Sequence, residues 1–306
     1  MRNDLQQHYQ KRNEENRDLL ESFQSHREKV MQLIIETATQ LLQDESAKMP
    51  SVALLGAGNC LDVDLNRLQE RFLTVHLVDV DGDSIAMAAS ESANPAQCEL
   101  HAPFDIASPL MSLTRQDFEA TNTEAMAAAL QALSAENIAN PIVEADVVVS
   151  LCLLSELVET LSGIIGENHT AFPNALKAVR IGHLRRMLNM LRPGGVAILI
   201  SDVVSSVTAP ELADAKESEL PDLVQKLVTA RNFFSGTNPA TVLAELNLLT
   251  KTAGGPESVH TIDPWKWQLG ERAFAVYGMR IQKTQPEFDE PGSDQSDATD
   301  SPNLAE

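Results

Sequence analysis

From Ala145 the chain reads ADVVVSLCLL, a nearly unbroken apolar run without polar alternation. A strand of that kind is buried on both faces, and sheets covered on both faces are built from parallel strands joined by helical crossovers. The flanking sequence supplies the partners. Residues 51–55, 74–81 (TVHLVDVD), 97–101 and 196–201 (VAILIS) read as further strands. Helical patterns fall between them at 62–71, 83–92, 122–136 and 174–191, the last stopped by LRPGG. Strand and helix in repeated alternation predict right-handed crossovers and a doubly wound sheet. Beyond residue 203 the rhythm changes: helical segments at 222–234 and 240–250 precede SVHTI and AFAVYGMRIQ, two strands with no helix between them, which predicts antiparallel pairing. Ahead of the first strand, residues 19–42 carry Leu19, Leu20, Phe23, Val30, Met31, Ile34, Ile35, Leu41 and Leu42 at helical spacing. That helix needs a surface for its apolar stripe, and the expected surface is the cleft at the strand ends.

Composition narrows the class. The chain has 306 residues, 43% of them hydrophobic, and no run reaches the roughly 18 apolar residues that cross a bilayer. The polar opening MRNDLQQHYQKRNEENRD lacks an apolar signal region, and Cys60, Cys98 and Cys152 fit neither a zinc pattern nor a disulfide framework. A cytoplasmic protein with reduced thiols is expected. The formal charge is −21, and residues 284–306 contribute seven acids and no Lys or Arg in a Pro-, Ser- and Asp-rich stretch, read as a disordered tail. The body stays acidic without it, which repels a phosphate backbone and excludes nucleic acid as a partner. The expected organisation is a helical extension at 1–48, one domain at 49–283 and the tail at 284–306.

The first strand runs into Gly56-Ala57-Gly58, a bend that serves either a dinucleotide or a methyl-donor loop. In a dinucleotide fold a third small residue lets the helix pack on its strand, yet that position is Leu61. Asp79, 21 residues past Gly58, ends the second strand, where a carboxylate accepts two ribose hydroxyls in either case.

Taken together, GAGN at the first strand, VDVD at the second, FD after the third, DVVVSLCLLSEL at the fourth, LRPGG before the fifth and the terminal strand pair resemble class I S-adenosylmethionine-dependent methyltransferases. The resemblance covers about residues 50–283. It implies an α/β, doubly wound, mostly parallel seven-stranded sheet with an antiparallel last strand, and S-adenosyl-L-methionine as cofactor. By position, Gly56, Ala57 and Gly58 would approach the methionine part of the cofactor, Asp79 the ribose and Val80 the adenine. Asp105 would accept from the adenine amino group with Ile106 beside it, and Ser150 and Leu151 would line the other side. The family loop often carries a further glycine where this chain has Cys60, which leaves the backbone path there open.

Plainer roles compete. Asp105 serves equally as a turn residue, Asp62 and Asp64 favour a helix start, Cys60 is a small packing residue, and His183 is an ordinary helix residue. Thr237 or Asn238 caps a helix that begins at Pro239. Trp265 and Trp267 either wall an acceptor pocket or pack the terminal strands onto the core.

The acceptor is less legible. The fourth-strand exit SLCLLSE lacks the Asn/Asp-Pro-Pro-aromatic motif that holds a flipped base, and no acid cluster at the strand ends points to a metal. The segment after the fifth strand, NFFSGTNP at 232–239 and DPWKW at 263–267 are the acceptor-side candidates. A methyltransferase acting on a small molecule is expected, with a protein acceptor second and no catalytic residue named. The alternatives are an NAD(P)-dependent oxidoreductase and a non-catalytic binding protein on the same fold.

Overall fold

The apolar run from Ala145 forms β4 (Ala145–Leu151), near the middle of a seven-stranded sheet. The computed structural model describes residues 3–42, 48–119, 121–135, 142, 144–249 and 255–284. The acidic tail beyond Thr284 lies outside the described residues, as does the end of the helix expected at 122–136. The other strands are β1 (Ser51–Leu55), β2 (Thr74–Val78), β3 (Cys98–His101), β5 (Leu191–Ser205), β6 (Pro256–Leu269) and β7 (Arg272–Lys283). They lie in the order β3-β2-β1-β4-β5-β7-β6; β1 to β5 are parallel, and β7 runs antiparallel to both β5 and β6. The sheet thus has the seven strands and the antiparallel last strand that the sequence implies.

Along β1 and β4 every second side chain enters a different core. Ala53, Leu55 and Val148 join one side, packed under α5 (Thr123–Ser134), α6 (Leu153–Ile165), α7 (Phe172–Met190), α8 (Leu220–Thr229) and α9 (Pro239–Leu249). Val52, Leu54, Val147 and Val149 join the other, under α2 (Gln24–Leu41), α3 (Leu65–Gln69) and α4 (Gly82–Glu91). Val30, Met31 and Ile34 of α2 are fully buried there, each contributing about 1.5–3 kcal/mol of apolar burial. Among the described residues no helix is long and apolar enough to cross a membrane.

Three elements differ from expectation. Residues Asn3–Arg17, mostly polar but with Leu5 packed against the core, form a helix, α1, and the pattern at 19–42 divides into a single 3-10 turn at Leu20–Phe23 followed by α2. LRPGG ends α7 as expected, yet lies inside β5: Leu191 already pairs with Ala145, and the register shifts before Val196 pairs with Val147. The helix expected at 62–71 shortens to α3, because Asp64 caps it by accepting from the Asn66 and Arg67 N–H groups at 3.0 and 3.2 Å. At α9, Asn238 accepts from Ala240 N at 2.9 Å, and Pro239 opens the helix.

α7 approaches α5 at Gly182, where an added Cβ would stand 1.9 Å from the Leu133 carbonyl oxygen. That carbonyl is backbone and cannot swing aside. Gly182→Ala should therefore cost about 1–3 kcal/mol or more through forced separation of the helices, read as a lowered urea midpoint at unchanged slope.

Candidate functional site

In the order β3-β2-β1-β4-β5 the parallel strands β1 and β4 are neighbours from which the sheet grows outward in opposite directions, and a crevice opens beyond the carboxyl ends of these strands. The residues after β1 shape its floor. Gly56 N and Ala57 N donate to the Val78 carbonyl at 3.0 and 3.2 Å, and Gly58 N donates to Asp79 Oδ2 at 2.8 Å. Asp79 Oδ1 accepts from Asp81 N at 2.8 Å, so one carboxylate joins the glycine bend to the start of α4. Gly56 and Gly58 have φ of 72° and 45°, and a Cβ on Gly56 would meet Leu153 Cβ at 3.1 Å. Cys60 itself takes φ 56°, so the loop keeps the left-handed turn expected of glycine there, at the strain cost of a side chain. Its thiol is buried, and burial pushes its pKa up, which keeps it protonated and unreactive.

Gly56, Ala57, Gly58, Asp79, Val80, Asp105, Ile106 and Leu151 all line the crevice. Ser150 does not: it is fully buried, and its Oγ lies 2.9 Å from His183 Nε2 inside the α7 core. Strand alternation turns Ser150 away when Leu151 and the turn after it face the opening. Burial lowers His183 to about 3, so its ring is a neutral partner in that core. Asp105 is on the wall, but its oxygens accept from Ala107 N at 2.9 Å and Met111 N at 3.1 Å, the turn role as much as a ligand role. Arg186 of α7 fixes the same loop by donating to the Ile106 and Ser108 carbonyls at 3.1 and 2.8 Å.

The two tryptophans divide. Trp265 is buried with its Nε1 donating to His26 Nδ1 at 3.1 Å, a packing role away from the crevice. Trp267 stacks on the same His26 ring at 4.5 Å between centroids and also reaches the crevice wall beside Phe274.

The largest addition is α1. Tyr9, Arg12, Asn13 and Asn16 line the crevice from above, and the helix is tied to both of its sides. Asn13 Nδ2 donates to Asp81 Oδ2 at 2.8 Å, Asn59 Nδ2 donates to the Asn13 carbonyl at 2.5 Å, and Arg17 Nε donates to Asn59 Oδ1 at 3.1 Å. On the α6 side Arg12 pairs with Glu156 at 3.3 Å and Glu159 at 3.1 Å, while Tyr9 shares a hydrogen bond with Thr160. The cover is thus residues 3–17; of the stretch expected there, 19–42, Phe23 reaches the crevice wall, while α2 packs against one face of the sheet. The signal was present in polar form: positions 9, 12, 13 and 16 are spaced as one helical face.

Four carboxylates inside, Asp79, Asp105, Glu156 and Asp202, are held toward their neutral forms by burial. Burial raises Asp79 to about 6 against the opposing Asp81 and Gly58 N–H bonds, and raises Glu156 to about 7 against the attraction of Arg12. Asp202, on β5, is raised by burial despite the Ser155 Oγ that donates to it at 2.5 Å. A second hollow shares Arg12, Ser155 and Asp202 with the crevice and continues to Phe233, Phe234 and Arg272. The segment at 232–239 and the start of the segment after 201 therefore meet at one opening.

No protein-family model matches the chain, and no curated protein matches it. Solved structures do. A SAM-dependent methyltransferase from Methanosarcina mazei is 12% identical with a TM-score of 0.41, covering 79% of this chain and 96% of that one. The N-methyltransferase NodS from Bradyrhizobium japonicum is 14% identical with a TM-score of 0.39, covering 82% and 96%. An arsenic(III) S-adenosylmethionine methyltransferase from Chlamydomonas reinhardtii is 12% identical with a TM-score of 0.35, covering 78% of this chain and 64% of that one, less than two thirds of its length. Similarity at this level carries no conclusion about activity, so the functional reading rests on the site.

Glu156 offers a stability test. Its folded pKa lies above its unfolded value, so the proton it holds favours the folded state at low pH, and that advantage is lost as pH rises through about 7. Glu156→Gln removes the titration. Relative to the parent, its unfolding midpoint should rise between pH 5 and pH 8; a constant difference across that range would contradict the raised carboxyl.

Proposed function

We propose that the chain is an S-adenosylmethionine-dependent methyltransferase with a small-molecule acceptor, its catalytic domain spanning residues 49–283 and residues 1–48 contributing the cover. One observation carries the reading: the Asp79 carboxylate ends β2 on the crevice wall, bonded to the glycine bend, with apolar Val80 and Ile106 on the same wall. Each Asp79 oxygen spends one lone pair on a backbone N–H and keeps another, the acceptor pair that two ribose hydroxyls require. Val80, Phe104 and Ile106 supply apolar surface for a purine. The bare backbone at Gly56 and Gly58 allows close approach where a side chain would meet Leu153 or Asn13. Leu61 in place of a small residue weighs against a dinucleotide.

When bound, the cofactor supplies a methyl group already activated on a sulfonium. The chain's part is to bind, align and exclude water. Asp79 and the glycine bend hold one end, Leu151 and Leu153 the other side, and α1 closes the top. Alignment of the acceptor accounts for much of the rate in such a transfer. The acceptor enters through the hollow between α1 and residues 233–235, whose mixed apolar and charged rim suits a small organic molecule. A polymer's phosphate backbone would meet the net charge of −21.

Asp79→Ala should weaken S-adenosylhomocysteine binding by roughly 30- to 1,000-fold, about 2–4 kcal/mol, in calorimetric titration against a parent of similar unfolding midpoint. Parent-like binding in that variant would overturn the ribose assignment. NAD titrated in parallel should give no heat. Asp81→Ala should weaken binding too, by loosening α4 and α1, because Asp81 caps α4 and holds Asn13. Hydrogen exchange with S-adenosylhomocysteine should slow across residues 3–17 and 56–60 and stay unchanged across 24–41, the helix packed on one face of the sheet. Protection confined to 24–41 would contradict the assignment of α1 as the cover.

A further inference from the structure

At the sheet edge, apart from the crevice, three donors converge. His76 of β2 stands in register with Glu99 of β3, and His101 follows two residues later, so all three side chains leave one face of the sheet. His76 Nδ1 is 3.1 Å from His101 Nε2 and 3.2 Å from Glu99 Oε2, and the three donor atoms all lie within 4.8 Å of one another. We propose that His76, Glu99 and His101 form a binding site for a divalent transition-metal ion of zinc's class.

The distances fit such an ion. Nitrogen and oxygen donors about 2.0–2.2 Å from a tetrahedral zinc stand about 3.3–3.5 Å apart, close to the two separations in the cluster. A single ring nitrogen holds either one hydrogen or one lone pair, so His76 Nδ1 serves one of its two neighbours well and not both. A cation at their common focus takes a lone pair from all three. Two imidazoles and one carboxylate select zinc, copper, nickel or cobalt over magnesium and calcium, which prefer oxygen sets. Three protein ligands leave a fourth position for water, and Glu99, with 58% of its side chain exposed, keeps that side open to solvent. The donors lie 23 and 25 residues apart in sequence, with no short motif to announce them, which is why the sequence reading expected no metal.

The cluster is linked to the strand ends that shape the crevice. His76 lies three residues before Asp79, and the His101 carbonyl accepts from Asp79 N at 3.3 Å. A cation there cross-links β2 to the edge strand directly below the Asp79 turn. The inference stands on this geometry and does not depend on the methyltransferase reading.

The test is calorimetric titration of the full, chelator-stripped chain with zinc chloride, with cobalt(II) as a spectroscopic probe. The parent should bind one equivalent at this site, gain thermal stability with zinc, and give cobalt visible absorption bands. His76→Ala and His101→Ala should each weaken zinc at least tenfold, about 1.4 kcal/mol, and lose the thermal gain. His260→Ala, an exposed histidine of β6, should bind as the parent does. If a histidine variant fails to fold, Glu99→Gln on the exposed edge replaces it with the same expectation. Parent-like zinc binding in the cluster variants, equal weakening by His260→Ala, or no binding by the parent would overturn the site and leave a hydrogen-bonded histidine pair beside a glutamate.

Discussion

Burial of both faces of β1 and β4 is the constraint from which the remaining architecture follows. A strand with apolar side chains above and below has to be covered twice, so α2 to α4 lie on one side and α5 to α9 on the other. With the connections right-handed, both layers and the outward growth of the sheet from its centre place a reversal of strand order between β1 and β4. The crevice is a by-product of that reversal. Its position is set by packing before any polar residue acts.

What the polar residues add is a set of ties across the loops that the packing leaves loose. Asp79 joins the glycine bend to α4, Arg186 joins the 106–108 loop to α7, and a buried Arg180–Glu245 pair joins α7 to α9. Arg180 also donates to the Gly236 carbonyl at 3.2 Å, reaching the segment that borders the second hollow. A buried pair of this kind adds little net stability, because desolvation offsets its attraction, but breaking one half leaves an unpaired charge. These ties specify where loops sit more than how stable the fold is.

The strands were readable because their signal is local: β4 and the terminal pair declare themselves in runs of a few apolar residues. The glycine bend, Asp79 and Leu151 were readable for the same reason, being fixed to strand ends. Ser150 was misplaced because neighbours on a strand face opposite sides, and a one-residue error in which side faces the opening exchanges wall for core. Trp265 was ambiguous until His26, 239 residues away in sequence, supplied its hydrogen-bond partner. α1 was missed because an apolar stripe was the pattern sought, whereas this helix is held by amides and charges. Glu156 and Asp202 gave no signal at all, since what distinguishes them is an environment contributed by distant segments: Arg12 beside one, burial around the other.

The manner in which α1 is attached has a kinetic side. Its contacts to the glycine loop and to α6 run through Asn13, Asn59, Arg12 and Tyr9, and few of them bury apolar surface. Such contacts form and break without the large heat-capacity change of an apolar face. Their ionic half, Arg12 with Glu156 and Glu159, weakens as counterions accumulate within a Debye length of about 8 Å at physiological ionic strength. The hollow that shares Arg12, Ser155 and Asp202 with the crevice stays open beside α1, so loosening the helix widens an existing way in rather than creating one. Added salt weakens that ionic half of the attachment without altering any group on the crevice floor.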